Sequence, residues 1–357
     1  MPAREHAGDR LRLQQTRFPA EASPVGDAMS DQGGGAAVLT TEAAAQKAQS
    51  LCDGVARAVR GKPDVVRRAV ETLIAGGHLL LEDVPGVGKT TLAQALARSI
   101  DGEFRRVQFT SDLLPADLLG SALPEFRDGV PTGELRFSPG PVFGHVLLAD
   151  EINRASPKVQ SALLEAMAEG SVTADGRTTS LPRPFFVIAT QNPLDHHGTH
   201  PLPESQLDRF LMRSAIGYPD PEDEAAVLRE DPAATALPHL TPVLHHSEVL
   251  ELQRVASQIK FHDTLVGYLL ALLTETREHE AISIGASPRA GIALRRAAQA
   301  RALLDGRDYC IPEDVQGLAV DVLAHRLSVD GRAGQPLAAE ETACILREIL
   351  ERTSVPL

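Results

Sequence analysis

The feature that most constrains the fold is a glycine-rich segment between a short apolar run and a helical stretch. The apolar run is Leu79–Leu81, and the helical pattern spans Leu92–Ile100. Between them, residues 83–91 read Asp-Val-Pro-Gly-Val-Gly-Lys-Thr-Thr. In a strand–loop–helix unit of this kind, backbone N–H groups of the loop can surround phosphate oxygens, and the positive end of the helix dipole adds to the attraction. The sequence therefore predicts a phosphate-binding loop in an α/β fold.

The loop offers both backbone and side-chain contacts to a nucleotide. We expect nucleotide contacts from Pro85, Gly86, Val87, Gly88, Lys89, Thr90 and Thr91. Lys89 would reach the β- and γ-phosphates of ATP, and the Thr90 hydroxyl would ligate Mg²⁺. Asp83 stands where the G-x-x-x-x-G-K-[ST] pattern has its first glycine. Aspartate can adopt turn geometry, and the strand–loop–helix context favours a phosphate loop over the alternative of an unrelated glycine turn.

Short apolar runs alternate with helical patterns through the first part of the chain. These runs are His78–Glu82, Phe104–Phe109, Val146–Asp150, Phe185–Thr190 and Met212–Gly217. Strands that alternate with helices predict a parallel sheet covered on both faces. We assign residues 41–218 to this α/β core. Residues 1–40 are rich in Gly, Pro and Ala without an apolar period, which predicts a disordered N-terminal tail.

The pattern changes at Pro219-Asp220-Pro221, after which we find only helical periods. Helices are predicted at 221–230, 247–258, 262–279, 288–304, 312–326 and 338–352. Residues 219–357 are therefore assigned to an all-helical domain. Two segments interrupt the core: an irregular insertion at 120–141, rich in Gly and Pro, and a hairpin at 171–184 with Asp175-Gly176 at its turn.

Composition excludes several classes of protein. The formal net charge of −13 and the absence of tryptophan argue against a nucleic-acid-binding surface built on basic and aromatic side chains. The cysteines Cys52, Cys310 and Cys344 are scattered, which favours a reduced, cytoplasmic setting. No apolar stretch approaches the roughly 18 residues that cross a bilayer. The charged N-terminus lacks the apolar region of a signal peptide.

A pair of carboxylates follows the third predicted strand. The apolar run Val146–Ala149 ends in Asp150 and Glu151. In open α/β sheets, ligands bind at the carboxyl ends of the strands, where the phosphate loop also lies. Asp150 suits Mg²⁺, and Glu151 suits the role of a general base toward an attacking water. The alternative is a solvated strand end, which the matching order of the two motifs disfavours.

Three longer sequence segments resemble those of a known family. They are Leu147–Ala155 (LLADEINRA), 189–193 (ATQNP) and Pro203–Phe210 (PESQLDRF). These segments resemble the MoxR family of AAA+ ATPases, and the resemblance covers about residues 50–330. It implies a P-loop core with five parallel strands, a helical lid and assembly into a ring, usually a hexamer. Residues 120–141 would correspond to the family's helix-2 insert.

The resemblance also implies roles for three residues. Asn192 matches sensor 1, which bonds the lytic water and the γ-phosphate. Arg209 matches the arginine finger, which acts on the neighbouring subunit. Arg289 matches sensor 2, which we expect to reach the γ-phosphate of its own subunit. The alternatives are an Asn-Pro turn at 192, a salt bridge of Arg209 with Asp208 or Glu204, and a solvated Arg289.

These observations predict that the chain is an ATP hydrolase that remodels or matures a partner protein. The resemblance implies a partner with a von Willebrand factor A domain. One alternative is the motor subunit of a metal-chelatase complex, which the sequence of residues 150–155 disfavours. The other is a nucleic-acid motor, which the net charge disfavours. A switch without turnover is disfavoured by the full set of catalytic residues. The histidines at 196–200 lack an acidic or cysteine partner at ligand spacing, so loop histidines are favoured over a metal site.

Overall fold

The computed structural model of the chain describes residues 39–127, 130–174, 176–192, 198–329 and 339–355. The predicted tail therefore lies outside the described residues, except for Leu39 and Thr40. Among the described residues, the strands are β1 (Leu79–Glu82), β2 (Phe104–Gln108), β3 (Gly120–Arg127), β4 (Val130–Pro139), β5 (Val146–Asp150), β6 (Ser171–Ala174), β7 (Arg177–Ser180), β8 (Phe186–Gln191), β9 (Met212–Ser214), β10 (Ile282–Ile284) and β11 (Ser328–Val329).

The α-helices are α1 (Thr41–Ala56), α2 (Pro63–Ile74), α3 (Lys89–Ser99), α4 (Pro115–Leu119), α5 (Pro157–Glu169), α6 (Glu204–Leu207), α7 (Pro221–Glu230), α8 (Pro232–Thr235), α9 (His246–Gln258), α10 (Asp263–Glu278), α11 (Pro288–Leu304), α12 (Pro312–Leu323) and α13 (Ala339–Arg352). Short 3₁₀ helices span Ile152–Arg154, Leu237–His239 and Ala324–Arg326. Proline at the first turn begins many of these helices, because its missing N–H needs no partner there. This pattern explains why several predicted starts coincide with the observed ones.

Five parallel strands form the central sheet in the order β2-β5-β8-β1-β9, which confirms the predicted five-stranded parallel core. The register pairs Glu82 with Gln191 and Gln108 with Asp150. The carboxyl ends of β1, β2, β5 and β8 therefore meet at one edge of the sheet, here called the carboxyl edge. The opposite edge, where the same strands begin, is called the amino edge.

The sheet is buried on both faces by two separate apolar clusters. Leu79 and Leu81 belong to a large cluster with α1, α2, α3 and the C-terminal helices, whereas Leu80 belongs to a smaller cluster with α5. Side chains of successive strand residues point to opposite faces, so a continuous apolar run is what a doubly covered strand requires. This burial explains why the runs of the three central strands β1, β5 and β8 lack the apolar–polar alternation of a half-exposed sheet, whereas edge strand β2 is largely exposed.

Two predictions about irregular and helical segments need correction. The insertion at 120–141 is not irregular, because β3 and β4 pair as an antiparallel hairpin. The region after residue 219 is not purely helical, because β10 and β11 form a small antiparallel pair. Cross-strand backbone pairing decides both structures, and the helical and glycine–proline patterns of the sequence do not reveal that pairing. The hairpin predicted at 171–184 is confirmed as β6–β7; of its turn, Gly176 is described, with φ +76°, and Asp175 is not.

The N-terminal helices pack against the C-terminal ones. Glu71 of α2 is fully buried and accepts hydrogen bonds from Arg67 and from Arg301 of α11, each 2.9 Å long. Residues 39–357 form one compact unit, so the division of core from lid at residue 218 stays a prediction. Within the described residues, no helix combines the length and apolar character needed to cross a membrane.

Candidate nucleotide site

The phosphate loop connects β1 to the first turn of α3. Gly86 has φ +88° and Gly88 has φ +96°, in the left-handed region that side chains disfavour. A Cβ atom on either glycine would meet nothing within 4 Å, so the backbone conformation is what requires glycine. The same observation shows open space beside the loop, where the N–H groups at the start of α3 can meet an anion.

Lys89 is the cationic side chain of this loop. Its Nζ donates to the backbone oxygen of Asp83 at 2.6 Å. Partial burial lowers the pKa of the Lys89 ammonium, and the carboxylates of Asp83, Asp150 and Glu151 oppose that shift. The ammonium therefore lies close to the carboxylate pair that the sequence placed beside the loop.

Thr190 joins the Asp150 carboxylate to the backbone of Glu151 at the end of β5. Its hydroxyl donates to Asp150 Oδ1 at 2.7 Å and accepts from the Glu151 N–H at 2.9 Å. Glu151 has φ +56° and ψ +51°, a conformation that costs a non-glycine residue about 1–3 kcal/mol and is concentrated at functional sites. Thr190 is fully buried, and the sequence analysis assigned it no role.

Edge strand β2 supplies further partners that the sequence analysis missed. Arg106 Nη2 lies 2.6 Å from Asp150 Oδ2, and the Gln108 amide donates to Glu151 Oε2 at 2.7 Å. Arg154 Nε lies 3.1 Å from the same Glu151 oxygen. Arg106 and Gln108 are two residues apart on one strand and therefore share a face. This spacing, at the carboxyl end of a predicted strand, was the available signal.

The predicted nucleotide residues line two adjoining cavities. One, of about 400 Å³, is lined by Pro85, Gly86, Gly88, Lys89, Thr90, Thr91, Asp150, Glu151 and Asn192 among others. The second, of about 360 Å³, shares Gly86, Gly88 and Thr91 with the first and adds Val59, Val87, Tyr218, Val227 and Leu228. A polar cavity beside an apolar one fits a triphosphate joined to a base.

The donor set suits Mg²⁺ as well as ATP. The Thr90 hydroxyl and the Asp150 carboxylate line the same cavity, and hard oxygen ligands of this kind are what Mg²⁺ prefers. Among the described residues, no group of three or more His, Cys, Asp or Glu side chains could hold a metal ion. Of the histidines at 196–200, His196 and His197 lie outside the described part of the chain.

The predicted arginines lie at the other edge of the sheet. Arg209 Nη1 donates to the Leu164 oxygen of α5 at 2.7 Å. Asp208 pairs with Arg326, with 2.7 Å between Oδ1 and Nε, and with Arg289, with 3.4 Å between Oδ2 and Nε. These three arginines and Asp208 line one cavity of about 340 Å³.

This arginine cluster is separated from the phosphate loop of its own chain by the length of β1. Leu211 N–H donates to the His78 oxygen at 2.8 Å, which places Asp208–Leu211 beside the start of β1, whereas the loop follows its end at Glu82. Four residues of strand span roughly 13 Å. In the described chain, the arginine cavity and the two nucleotide cavities share no lining residue. The structure therefore places Arg289 outside both nucleotide cavities of its own chain, and the role of this arginine stays a prediction.

The strand order, the phosphate loop and the carboxylate pair define a P-loop ATPase core of the AAA+ class. Residues 78–212 match the family described as "ATPase family associated with various cellular activities (AAA)", and residues 274–349 match its lid domain. A crystal structure from Cytophaga hutchinsonii ATCC 33406, of a protein assigned as an ATPase, superposes with a TM-score of 0.80 at 36% identity, covering 89% of this chain and 97% of that one.

Relatives of similar length narrow the family. The Bacillus subtilis (strain 168) protein YeaC is 46% identical over 84% of this chain and 92% of its own length. Chaperone MoxR1 of Mycobacterium tuberculosis is 40% identical over 95% of this chain and 87% of its own length. The chain belongs to the MoxR family of AAA+ ATPases.

Proposed function

We propose that this chain hydrolyses ATP within a ring of its own copies and uses the cycle to remodel or mature a partner protein. One observation carries the proposal: phosphate-binding and arginine side chains lie on opposite edges of a single sheet. A complete site then needs the carboxyl edge of one copy and the amino edge of the next. The AAA+ membership of the chain supports ATP as the substrate.

At the carboxyl edge, each residue takes one part of the hydrolysis. Lys89 exchanges the Asp83 oxygen for the β- and γ-phosphates, while loop N–H groups surround the phosphate oxygens. Thr90 and Asp150 would hold Mg²⁺, which when bound would neutralise charge on the phosphates. Glu151 accepts a proton from the attacking water, and Asn192 orients that water and the γ-phosphate.

At the amino edge, Arg209 and Arg289 serve the nucleotide of the neighbouring copy. Their guanidinium groups stabilise the charge that develops on the transferred phosphoryl group. Asp208 contacts Arg289 directly and is adjacent to Arg209 in sequence, so the two arginines form one unit. We propose that both act in trans, which replaces the expectation that Arg289 acts within its own subunit.

The proposed partner is a protein with a von Willebrand factor A domain, and the proposed assembly that binds it is a cytoplasmic, hexameric ring of this chain. The likeness to a relative named as a chaperone supports remodelling of a protein, and the family resemblance suggests this class of partner. Nucleic acid is a poor partner for a chain with a formal net charge of −13.

Mixed assemblies test the shared site. Arg209→Ala should retain ATP binding and lose turnover by roughly 10³-fold, the scale of arginine fingers. Lys89→Ala leaves the amino edge intact. When the two inactive variants are mixed, some interfaces pair an intact loop with an intact arginine, so ATPase activity should return. If subunits that demonstrably exchange show no rescue, Arg209 does not act in trans.

A trapped form tests the partner. Glu151→Gln should bind ATP and hydrolyse it slowly, which prolongs the closed assembly and its complex with the partner. We expect a von Willebrand-type protein to be retained from native extract with ATP and released with ADP. Retention of DNA instead, or a monomer by light scattering in ATP, would contradict the remodelling function.

A further inference from the structure

Asp83 is the residue at which this phosphate loop departs from the glycine pattern. Its φ lies outside the left-handed region, unlike those of Gly86 and Gly88, so the backbone at this position has no need of glycine. The side chain is nevertheless buried, with only 8% of the residue exposed. A buried carboxylate at the base of the loop requires hydrogen-bond partners.

The Asp83 carboxylate accepts three backbone hydrogen bonds. Oδ1 accepts from the N–H of the next residue, Val84, at 2.8 Å. Oδ2 accepts from the N–H groups of Ile216 at 2.7 Å and Gly217 at 2.6 Å. The Asp83 backbone oxygen is the acceptor for Lys89 Nζ. One residue therefore contacts the phosphate-binding lysine and the segment that follows β9.

The segment held by Asp83 leads directly into the wall of the apolar cavity. Tyr218 and Pro219 follow Gly217 and line the cavity that adjoins the phosphate loop. On the other side, Lys62 Nζ donates to the Tyr218 oxygen at 2.6 Å. The position of this wall relative to the loop thus depends on contacts to the backbone of residues 216–218, of which Asp83 makes two.

We propose that Asp83 is a positioning residue that fixes the base-binding wall against the phosphate loop. The proposal rests on ATP being the ligand of this site. Oδ2 of Asp83 accepts hydrogen bonds from two backbone N–H groups. Removal of the Asp83 side chain therefore leaves the N–H groups of Ile216 and Gly217 without this charged acceptor. The wall can then move away from the loop while the glycine conformation and Lys89 remain. Binding of the base weakens, and binding of the phosphates does not.

The experiment compares Mg·ATP with Mg·tripolyphosphate by calorimetry, since only ATP contacts the base wall. In Asp83→Gly, which restores the glycine of the pattern, we expect the dissociation constant for tripolyphosphate to stay within about twofold of wild type. The constant for ATP should rise by about tenfold or more. Amide hydrogen exchange at Ile216 and Gly217 should speed up in the same variant.

Two aspartate-to-asparagine changes supply a matched pair. Asp83→Asn must serve three N–H groups with a single carbonyl oxygen, so it should lose part of the ATP preference. Asp220 caps α7 by accepting from Glu222 and Asp223, and asparagine caps a helix about as well. Asp220→Asn, with the same loss of charge in the same segment, should therefore leave both constants unchanged.

The outcomes separate the two proposals. If both Asp83 variants weaken the binding of ATP and tripolyphosphate equally, so that the ratio of the two dissociation constants is unchanged, the proposed role of Asp83 is wrong. The proposed ATPase function would be unaffected by that result. A wild-type protein that binds no Mg·ATP would instead contradict the proposed ATPase function.

Discussion

The two edges of the central sheet are built in different ways. At the carboxyl edge, functional side chains bond to side chains of neighbouring strands, as Asp150 does with Thr190 and Glu151 with Gln108. At the amino edge, the arginine-bearing segment is held by the C-terminal helical region. Arg326, with 4% of its side chain exposed, bonds to Asp208 and to the oxygens of Phe210 and Leu211. His325 Nε2 adds a contact of 3.0 Å to the Phe210 oxygen.

This difference shows how one chain can carry the two halves of a nucleotide site that neighbouring copies would share. The carboxyl edge is fixed by the sheet, so its geometry is a property of the core. The amino edge depends on the packing of α12 and the 3₁₀ helix at Ala324–Arg326 against residues 208–211. A displacement of these helices would move the arginines without moving the phosphate loop. The four predictions below test that separation.

The largest effects are expected at the carboxyl edge. Glu151→Gln should reduce turnover by about 10²- to 10⁴-fold, the contribution of a positioned general base, and leave ATP affinity near wild type. Lys89→Ala should weaken ATP binding by about ten- to a hundredfold, because a charged phosphate contact is lost. Affinity and single-turnover rate, measured side by side, distinguish the two. Equal loss of affinity in both variants would refute the assigned roles.

The placement of Arg289 predicts rescue between subunits. Arg289→Ala should lower turnover by about ten- to a hundredfold, the scale of one charged hydrogen bond, with ATP affinity nearly unchanged in the isolated chain. Mixing it with Lys89→Ala should restore activity, since the intact loop of one variant meets the intact arginine of the other. If Arg289 acts within its own subunit, every loop in the mixture lacks either Lys89 or Arg289, and no activity returns.

Sequence reasoning located the carboxyl edge well because its signals are local. The glycines, Lys89 and Thr90 are contiguous, and Asp150 and Glu151 end an apolar run, so strand order alone brings them together. The sequence does not predict a role for Thr190, because threonine is common in buried strands and needs no functional explanation there. Its role appears only when β8 is paired with β5.

The amino edge could not be derived in this way. The sequence identified Arg209 and Arg289 by resemblance, but not Arg326, whose contact with Asp208 joins residues 118 positions apart. Nor could it show that Arg289 lies beside Asp208, because that depends on how α11 packs against the core. The hairpin β3–β4 was missed for a related reason: its glycines and prolines suggested irregular chain, whereas cross-strand pairing decides the structure.

Substitution of Asp208, which anchors the amino edge, should have a smaller effect on turnover. Asp208→Asn removes the carboxylate that pairs with Arg326 and Arg289, and should cost about 1–3 kcal/mol in the free energy of unfolding. Turnover should fall while ATP affinity holds, because the loop is not touched. Glu204→Gln, an exposed carboxylate in the same stretch, is the matched control for charge and should change neither quantity. A loss of ATP affinity in Asp208→Asn would show that the edges are not independent.

The smallest effect concerns pH. Burial lowers the pKa of His78 to about 4, and burial lowers that of His325 well below its usual value; both lie at the amino edge. His78 Nδ1 accepts from the Val187 N–H at 3.0 Å, so the folded protein keeps it neutral. The unfolded chain, with a histidine pKa near 6.5, binds the proton first as pH falls. Stability is therefore full above about pH 6.5 and declines as pH drops toward the folded pKa.

Between pH 7.5 and 5.5 His78 should remove about 1.3 kcal/mol from the free energy of unfolding, since its folded pKa of about 4 lies below this range and the loss is set by the unfolded pKa. His78→Gln should flatten the measured dependence by that amount, whereas His239→Gln, at an exposed position, should leave it unchanged. Denaturant unfolding at the two pH values supplies the measurement. A pH dependence as steep in His78→Gln as in the wild type would show that this buried imidazole does not contribute to it.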